Sequence, residues 1–272
     1  MLRGRPEGAL LFRRWYSPHP WAAVVMVHGL SEHSGRYRHV GAALAEQGLD
    51  TFAFDLVGHG ISDGARTYVE TFADYHRDVE AILSEARSTR LPVALLGHSL
   101  GGLIILDYVL SGRPAADLVM LSAPALDARV PGWKREAARV LSRIAPRLRI
   151  PNGIRGEQLS RDPSVGEAYF ADPLVTTQTT TRLAAEMLAA MRRVQSRLSR
   201  LTLPTFVIHG GADTVVPPET SASLGEFPNV ERILYPALRH EVLNEPEGEQ
   251  VLSLAVTWLR EQLGVRRPID QS

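Results

Sequence analysis

Short apolar runs alternate with amphipathic stretches along most of the chain. Apolar runs predict strands at residues 22–27, 51–54, 93–96, 118–121, 205–208 and 232–235. The first five are almost continuously apolar, which is typical of parallel strands buried on both faces. Apolar residues at helical spacing predict helices at 36–47, 72–88, 100–110 and 250–263. This alternation predicts an α/β fold with a mostly parallel, doubly wound sheet and helices on both faces. Residues 8–15 are expected to add an antiparallel edge strand.

The alternation stops between Asp127 and Leu203. This stretch of roughly 75 residues is too long for a loop between neighbouring strands. It contains two predicted helices, at 132–144 and 181–198, around a middle part rich in proline and glycine. We therefore predict a helical cap at 127–203, inserted into a core domain formed by residues 1–126 and 204–272.

Composition excludes several classes of protein. The 272 residues carry 30 basic and 30 acidic side chains, so no overall field attracts nucleic acid. Cysteine is absent, which excludes disulfides, thiolate zinc sites and a cysteine nucleophile. The apolar runs are shorter than the roughly 18 residues that span a bilayer, and the N-terminus lacks the apolar region of a signal peptide. The expectation is a soluble, cytoplasmic protein.

The most specific motif reads Gly-His-Ser-Leu-Gly at residues 97–101. It follows a predicted strand and precedes a predicted helix, which is the setting of a nucleophile elbow. Glycine is needed two positions before and after the serine, because the turn leaves no room for side chains there. Ser99 is therefore the candidate nucleophile.

A serine nucleophile needs a histidine base that an acid orients. Asp213 follows the predicted strand at 205–208, and His240 follows the strand at 232–235. The carboxyl ends of parallel strands meet at one edge of a sheet, so both residues are expected near Ser99. The order serine, acid, histidine is the one this architecture uses. Asp127, which follows the strand at 118–121, is the alternative acid.

Two backbone N–H groups are expected to stabilise the oxyanion that forms during acyl transfer. One belongs to Leu100, which follows the nucleophile, and the other to Leu30, in the loop after the strand at 22–27. We interpret His28 in that loop as a structural residue that bonds neighbouring loops. No metal-ligand spacing and no dinucleotide-binding motif is visible, so no cofactor is expected.

These motifs resemble those of the monoacylglycerol lipase family of the α/β-hydrolases. The resemblance covers His-Gly-Leu-Ser-Glu-His-Ser-Gly-Arg-Tyr at 28–37, Asp55 with Gly-His-Gly-Ile-Ser at 58–62, the elbow, and His-Glu at 240–241 with Asn-Glu at 244–245. Ser-Arg-Asp-Pro at 160–163 and Asp-Pro-Leu-Val at 172–175 resemble bacterial members. The resemblance implies the α/β-hydrolase fold and places the triad on Ser99, Asp213 and His240. The rest of the cap matches only loosely, which leaves the substrate open.

The expected function is that of a serine ester hydrolase that cleaves monoacylglycerols or similar single-chain esters through an acyl-enzyme. A lysophospholipase and a general carboxylesterase are the alternatives with the same chemistry. An iminopeptidase-type peptidase would need a cap carboxylate to hold an amine, for which Glu157, Glu167 and Glu186 are available. A non-hydrolytic ligand receptor on the same scaffold is the alternative from another class.

The cap carries Leu183, Met187 and Met191 at helical spacing. This stripe either lines a pocket for an acyl chain or packs the cap onto the core, and spacing alone does not choose between the two. The expected partner is a small lipid ester, with transient contact between the cap and a membrane or lipid droplet. No nucleic-acid partner is expected.

Overall fold

The computed structural model describes residues 2–5, 8–114, 116–128 and 130–265. Ten strands occur within these residues. They are β1 (Leu2–Arg5), β2 (Gly8–Trp15), β3 (Ala22–Val27), β4 (Leu49–Phe54), β5 (Val93–His98), β6 (Leu118–Ser122), β7 (Arg149–Pro151), β8 (Gln178–Thr180), β9 (Thr205–Gly210) and β10 (Val230–Tyr235). The seven α-helices of the same residues are α1 (Arg38–Glu46), α2 (Ala73–Arg87), α3 (Leu100–Val109), α4 (Gly132–Ile144), α5 (Pro163–Ala171), α6 (Thr181–Arg197) and α7 (Gly248–Leu263).

Eight of the strands form one sheet in the order β1-β2-β4-β3-β5-β6-β9-β10. Six neighbouring strands of this sheet pair in parallel, namely β4, β3, β5, β6, β9 and β10. Strand β2 pairs antiparallel with β4. The predicted mostly parallel sheet with helices is confirmed. The expected edge position of β2 is wrong, because β1 pairs with its outer side.

The sheet is covered on both faces, as its apolar strands require. Side chains alternate between the faces of a strand, so Ala23, Val25 and Val27 of β3 join one hydrophobic cluster and Ala22, Val24 and Met26 join the other. Helices α2 and α3 contribute to the first cluster, and α1 and α7 to the second. The carboxyl ends of the parallel strands are thereby held on a rigid frame.

The region between β6 and β9 contains α4, α5, α6 and the two-stranded antiparallel pair of β7 with β8. Helices α4 and α6 were predicted from their periodicity, whereas α5 and the two short strands were not. Asp162 caps α5 by accepting a hydrogen bond from Ser164 N at 2.9 Å, and Pro163 opens the helix. Among the described residues, no helix is long and apolar enough to cross a bilayer.

Candidate active site

Ser99 lies at the sharp turn between β5 and α3 with φ +52° and ψ −114°. A non-glycine residue in this region stores about 1–3 kcal/mol of strain, which the surroundings must hold. Ser99 N donates to Ser122 O at 2.9 Å, and Ser99 O accepts from Leu103 N at 3.2 Å and from Ala125 N at 3.1 Å. These main-chain hydrogen bonds fix the strained turn, so the hydroxyl group is carried on a rigid element.

The two glycines of the motif are required by close backbone contacts. A Cβ atom at Gly101 would overlap the carbonyl oxygen of Val27, where the start of α3 crosses the end of β3. At Gly97, a Cβ atom would lie 2.7 Å from the carbonyl carbon of Gly101. Gly97 therefore lets the two sides of the nucleophile turn approach each other, and Gly101 lets the turn lie against the end of β3.

Asp213 and His240 meet on the loops that follow β9 and β10. His240 Nδ1 donates to Asp213 Oδ2 at 2.7 Å. Asp213 Oδ1 accepts from the backbone N–H groups of Val215 at 2.8 Å and Val216 at 2.9 Å. A further histidine, His209 on β9, places Nε2 3.3 Å from Asp213 Oδ2. The carboxylate is thus held by several donors, and one of its oxygen atoms faces His240.

The charges of this pair support each other. Burial alone would raise the pKa of Asp213, but the charge of His240 and hydrogen bonds from His209, His240 and Val216 N lower it well below its ordinary value. Burial alone would lower the pKa of His240, but the Asp213 carboxylate outweighs this and raises it above the ordinary 6.5. An ionised Asp213 therefore fixes the Nδ1–H tautomer and leaves Nε2 as the basic nitrogen.

His98, the last residue of β5, is in contact with the base. Its ring centroid lies 4.7 Å from that of His240, and its Nδ1 is 3.1 Å from Ser122 Oγ. Burial lowers the pKa of His98 to about 3, and the charge of His240 acts in the same direction. His98 is therefore a neutral ring that packs against the base. Ser99 itself is only 8% exposed, and within the described residues its Oγ makes no hydrogen bond.

The loop after β3 presents the second candidate oxyanion donor. Gly29 N donates to Glu32 Oε1 at 2.6 Å, so it is already used. Leu30 N and Leu100 N donate no hydrogen bond to any described residue, which leaves both for a ligand. His28 Nδ1 donates to Gly29 O at 2.8 Å, and His28 Nε2 accepts from Leu56 N at 3.0 Å. His28 thus has the structural role that the sequence suggested.

An ion-pair cluster beside the site was missed at the sequence level. Arg36 Nη1 donates to Glu32 Oε2 at 2.5 Å and to Glu241 Oε1 at 2.7 Å. Tyr37 OH donates to Glu32 Oε1 at 2.7 Å. Because Glu241 follows His240 and Glu32 holds Gly29, Arg36 joins the oxyanion loop to the loop of the base. The motif at 28–37 contained this arginine, but no local signal identified its distant partner.

The alternative acid Asp127 and the candidate acyl-binding stripe make contacts other than those expected of site residues. Asp127 pairs with Arg135 at 3.2 Å, and its side chain is 46% exposed, which favours Asp213 as the acid. Leu183 and Met191 are buried in the first hydrophobic cluster, against which the half-buried Met187 packs. This position favours packing of the cap onto the core over an acyl-binding stripe.

No group of three histidine, aspartate or glutamate side chains that could hold a metal ion occurs in the described part of the chain. The serine, histidine and aspartate lie together with the two backbone donors at the carboxyl edge of the sheet. This set can support nucleophilic acyl transfer.

The chain is similar to several known hydrolases. The family model described as serine aminopeptidase, S33 (Hydrolase_4) matches residues 18–247. A monoacylglycerol lipase of Mycolicibacterium smegmatis is 34% identical over 88% of this chain and 88% of its own length. Phospholipase YtpA of Bacillus subtilis is 31% identical over 89% of this chain and 96% of its own length. A solved monoacylglycerol lipase of Paleococcus ferrophilus matches with a TM-score of 0.85 and 32% identity, covering 93% of this chain and 98% of that one.

Proposed function

The chain belongs to the Hydrolase_4 family of α/β-hydrolases, and we propose that it hydrolyses monoacylglycerols through an acyl-enzyme formed on Ser99. Its substrate is a lipid ester, and its reaction is carboxylic ester hydrolysis. The observation that carries the proposal is the 2.7 Å hydrogen bond between Asp213 and His240, formed at the sheet edge where β5 delivers Ser99.

In the proposed reaction, His240 Nε2 takes the proton of Ser99 Oγ as this oxygen attacks the ester carbonyl carbon. The carbonyl oxygen becomes an oxyanion, which the N–H groups of Leu30 and Leu100 stabilise. The C–O bond to glycerol then breaks, and His240 gives its proton to the leaving alcohol oxygen. A water molecule, deprotonated by His240, attacks the acyl carbon; the bond to Ser99 Oγ then breaks, His240 gives its proton to this oxygen, and the fatty acid leaves. Asp213 stays ionised throughout and holds the imidazolium.

The nucleophile is tested with Ser99→Ala. We expect this variant to lose labelling by a fluorophosphonate probe and to lose turnover of p-nitrophenyl butyrate by several orders of magnitude. The matched control is Ser84→Ala, which changes an exposed serine on α2 and should leave both measurements unchanged. Near-normal turnover by Ser99→Ala would refute the mechanism.

The peptidase alternative finds little support among the cap carboxylates. Glu186 accepts a hydrogen bond from Phe72 N at 3.0 Å and lies 3.7 Å from Arg182, so it is engaged in holding α2 and α6. Glu157 and Glu167 are exposed, and Glu157 pairs with Arg155. A panel of monoacylglycerols, p-nitrophenyl esters and aminoacyl anilides separates the possibilities. We expect ester turnover without anilide turnover; the reverse would indicate a peptidase, and neither would indicate a receptor.

The cap also offers a surface that suits an anionic membrane. Residues 127–203 contain twice as many basic as acidic side chains, although the net charge of the whole chain is zero. On α4, Trp133 and Ile144 are 71% and 73% exposed, beside the basic residues Lys134, Arg139 and Arg143. Apolar residues flanked by lysine and arginine are typical of helices that lie in a membrane interface. We propose transient docking of this face on anionic phospholipid.

This docking is tested by co-sedimentation with vesicles of phosphatidylglycerol and phosphatidylcholine. We expect binding that weakens in Trp133→Ala and at high salt, because attraction to the lipid charge is screened. Tyr16→Ala, which removes an aromatic ring that is 66% exposed on the core, serves as the control. Equal binding by both variants and the unchanged chain would refute docking through α4.

A further inference from the structure

A segment of the cap, residues 158–161, lies directly along the loop that carries the base. His240 N donates to Gln158 O at 3.3 Å, and Glu241 N donates to Leu159 O at 2.8 Å. The cap therefore supplies the main-chain acceptors for the base and for the residue after it. These hydrogen bonds fix the position of the His240 main chain relative to residues 158 and 159.

One buried carboxylate reinforces this contact. The side chain of Glu245 is fully buried, and its Oε1 accepts from Arg239 N, the residue before His240, at 2.6 Å. Its Oε2 accepts from Ser160 Oγ at 3.1 Å, from Arg161 N at 2.9 Å and from Arg161 Nε at 3.2 Å. One oxygen thus holds the loop of the base, and the other holds the cap.

The same cap segment reaches the loop of the acid. Gln158 Nε2 donates to Thr214 Oγ1 at 3.0 Å, and Thr214 follows Asp213 in the chain. Arg239 Nη1 donates back to Ser160 O at 2.8 Å. Residues 158–161 therefore bind both loops whose relative position determines the Asp213–His240 hydrogen bond.

We propose that Ser160, Arg161 and Glu245 are positioning residues for His240, so that the cap is a part of the catalytic centre as well as its cover. This inference rests on the proposed function of Ser99 and His240. Removing Arg161 would leave the carboxylate of Glu245 buried without its cation, which is unfavourable enough to move the loop. A shift of about 1 Å in a catalytic group can cost about 10²-fold in rate.

The test uses Arg161→Ala and p-nitrophenyl butyrate, a short ester that needs little of an acyl pocket. We expect kcat to fall about 10- to 100-fold with little change in KM, and the rate of fluorophosphonate labelling to fall in parallel. Arg161→Lys retains a cation and should recover part of kcat. The control is Arg200→Ala, which removes an exposed arginine after α6, and we expect its kcat to stay unchanged.

Ser160→Ala provides a second, milder variant, since it removes one hydroxyl donor to Glu245, and melting temperatures show whether each variant is folded. A folded Arg161→Ala and Ser160→Ala with the kcat of the unchanged chain would overturn the inference. A rise in KM for long-chain esters alone would overturn it as well, because a simple cover predicts that result. If the unchanged chain is not labelled by the probe, the proposed function itself fails, and the two failures are thereby distinguished.

Discussion

Replacing Asp213 by asparagine isolates the role of the acid with little change in shape. Asp213 Oδ1 accepts the N–H groups of Val215 and Val216, and an asparagine oxygen can keep both hydrogen bonds. The amide nitrogen would then take the place of Oδ2, which lies 2.7 Å from His240 Nδ1. Two N–H groups cannot bond each other, so His240 Nδ1 must give up its proton and become an acceptor.

The changed tautomer removes the base. With its proton on Nε2, His240 has no lone pair directed at the hydroxyl of Ser99. In a serine protease, the same aspartate-to-asparagine change lowers kcat about 10⁴-fold. Converted at about 1.36 kcal/mol per tenfold, the expected loss of transition-state stabilisation is about 5.4 kcal/mol. We expect a loss of this size in Asp213→Asn for esters of any chain length, because the defect lies in proton transfer.

The measurement is kcat for p-nitrophenyl butyrate and for a monoacylglycerol, with active sites counted in each preparation. Asp127→Asn is the matched control, since Asp127 lies in an exposed pair with Arg135, and we expect its kcat to change less than about twofold. A larger loss in Asp127→Asn than in Asp213→Asn would place the acid after β6 and contradict the assignment of Asp213. A loss below tenfold in Asp213→Asn would show that the tautomer of His240 is fixed by another group.

The pKa of His240 is raised above 6.5, and only its neutral form accepts a proton, so kcat/KM should rise with pH through a midpoint above 6.5; a midpoint below 6 would contradict this. Gly101→Ala should destabilise the fold by at least about 1–3 kcal/mol in urea titrations, since its Cβ overlaps Val27 O. Ser99 is only 8% exposed, so dispersed monoolein should be hydrolysed far faster than triolein, with a steric cause; comparable rates would indicate an open site.

The core could be predicted because its signals are local. Strands such as β3 are continuous apolar runs, and a parallel strand buried on both faces must have that pattern. The position of Asp213 and His240 followed from topology, since residues just after parallel strands converge at one edge. At the sheet, the prediction that was wrong is the edge position of β2. Nothing within β2 indicates that β1 pairs outside it.

The contacts that surround the site depend on distant partners. Arg36 and Glu241 are 205 positions apart, and each resembles an ordinary surface charge until the fold brings them within 2.7 Å. The contact of His98 with His240 also joins distant parts of the chain, the end of β5 and the loop after β10. In the cap, β7 and β8 have only three residues each, too few for an alternating pattern. Helix α5 was not predicted because its residues show no clear helical periodicity. Its only local signal is the capping pair Asp162 and Pro163 at its start.

The predicted boundary between core and cap follows the order of segments in the chain, whereas the packing of α6 crosses that boundary. The cap at 127–203 was predicted because the alternation of strands and helices stops there. That pattern shows which segment is inserted, but not what the segment packs against. Periodicity in α6 shows that Leu183 and Met191 share an apolar face, but not what this face meets, and in the structure it joins the hydrophobic cluster of the core. Residues 158–161 also form hydrogen bonds with the loop of His240, so α6 and this segment both pack against the domain of the sheet. Among the helices of residues 127–203, α4 exposes the most large apolar side chains. For this reason we propose α4 as the helix that docks on lipid.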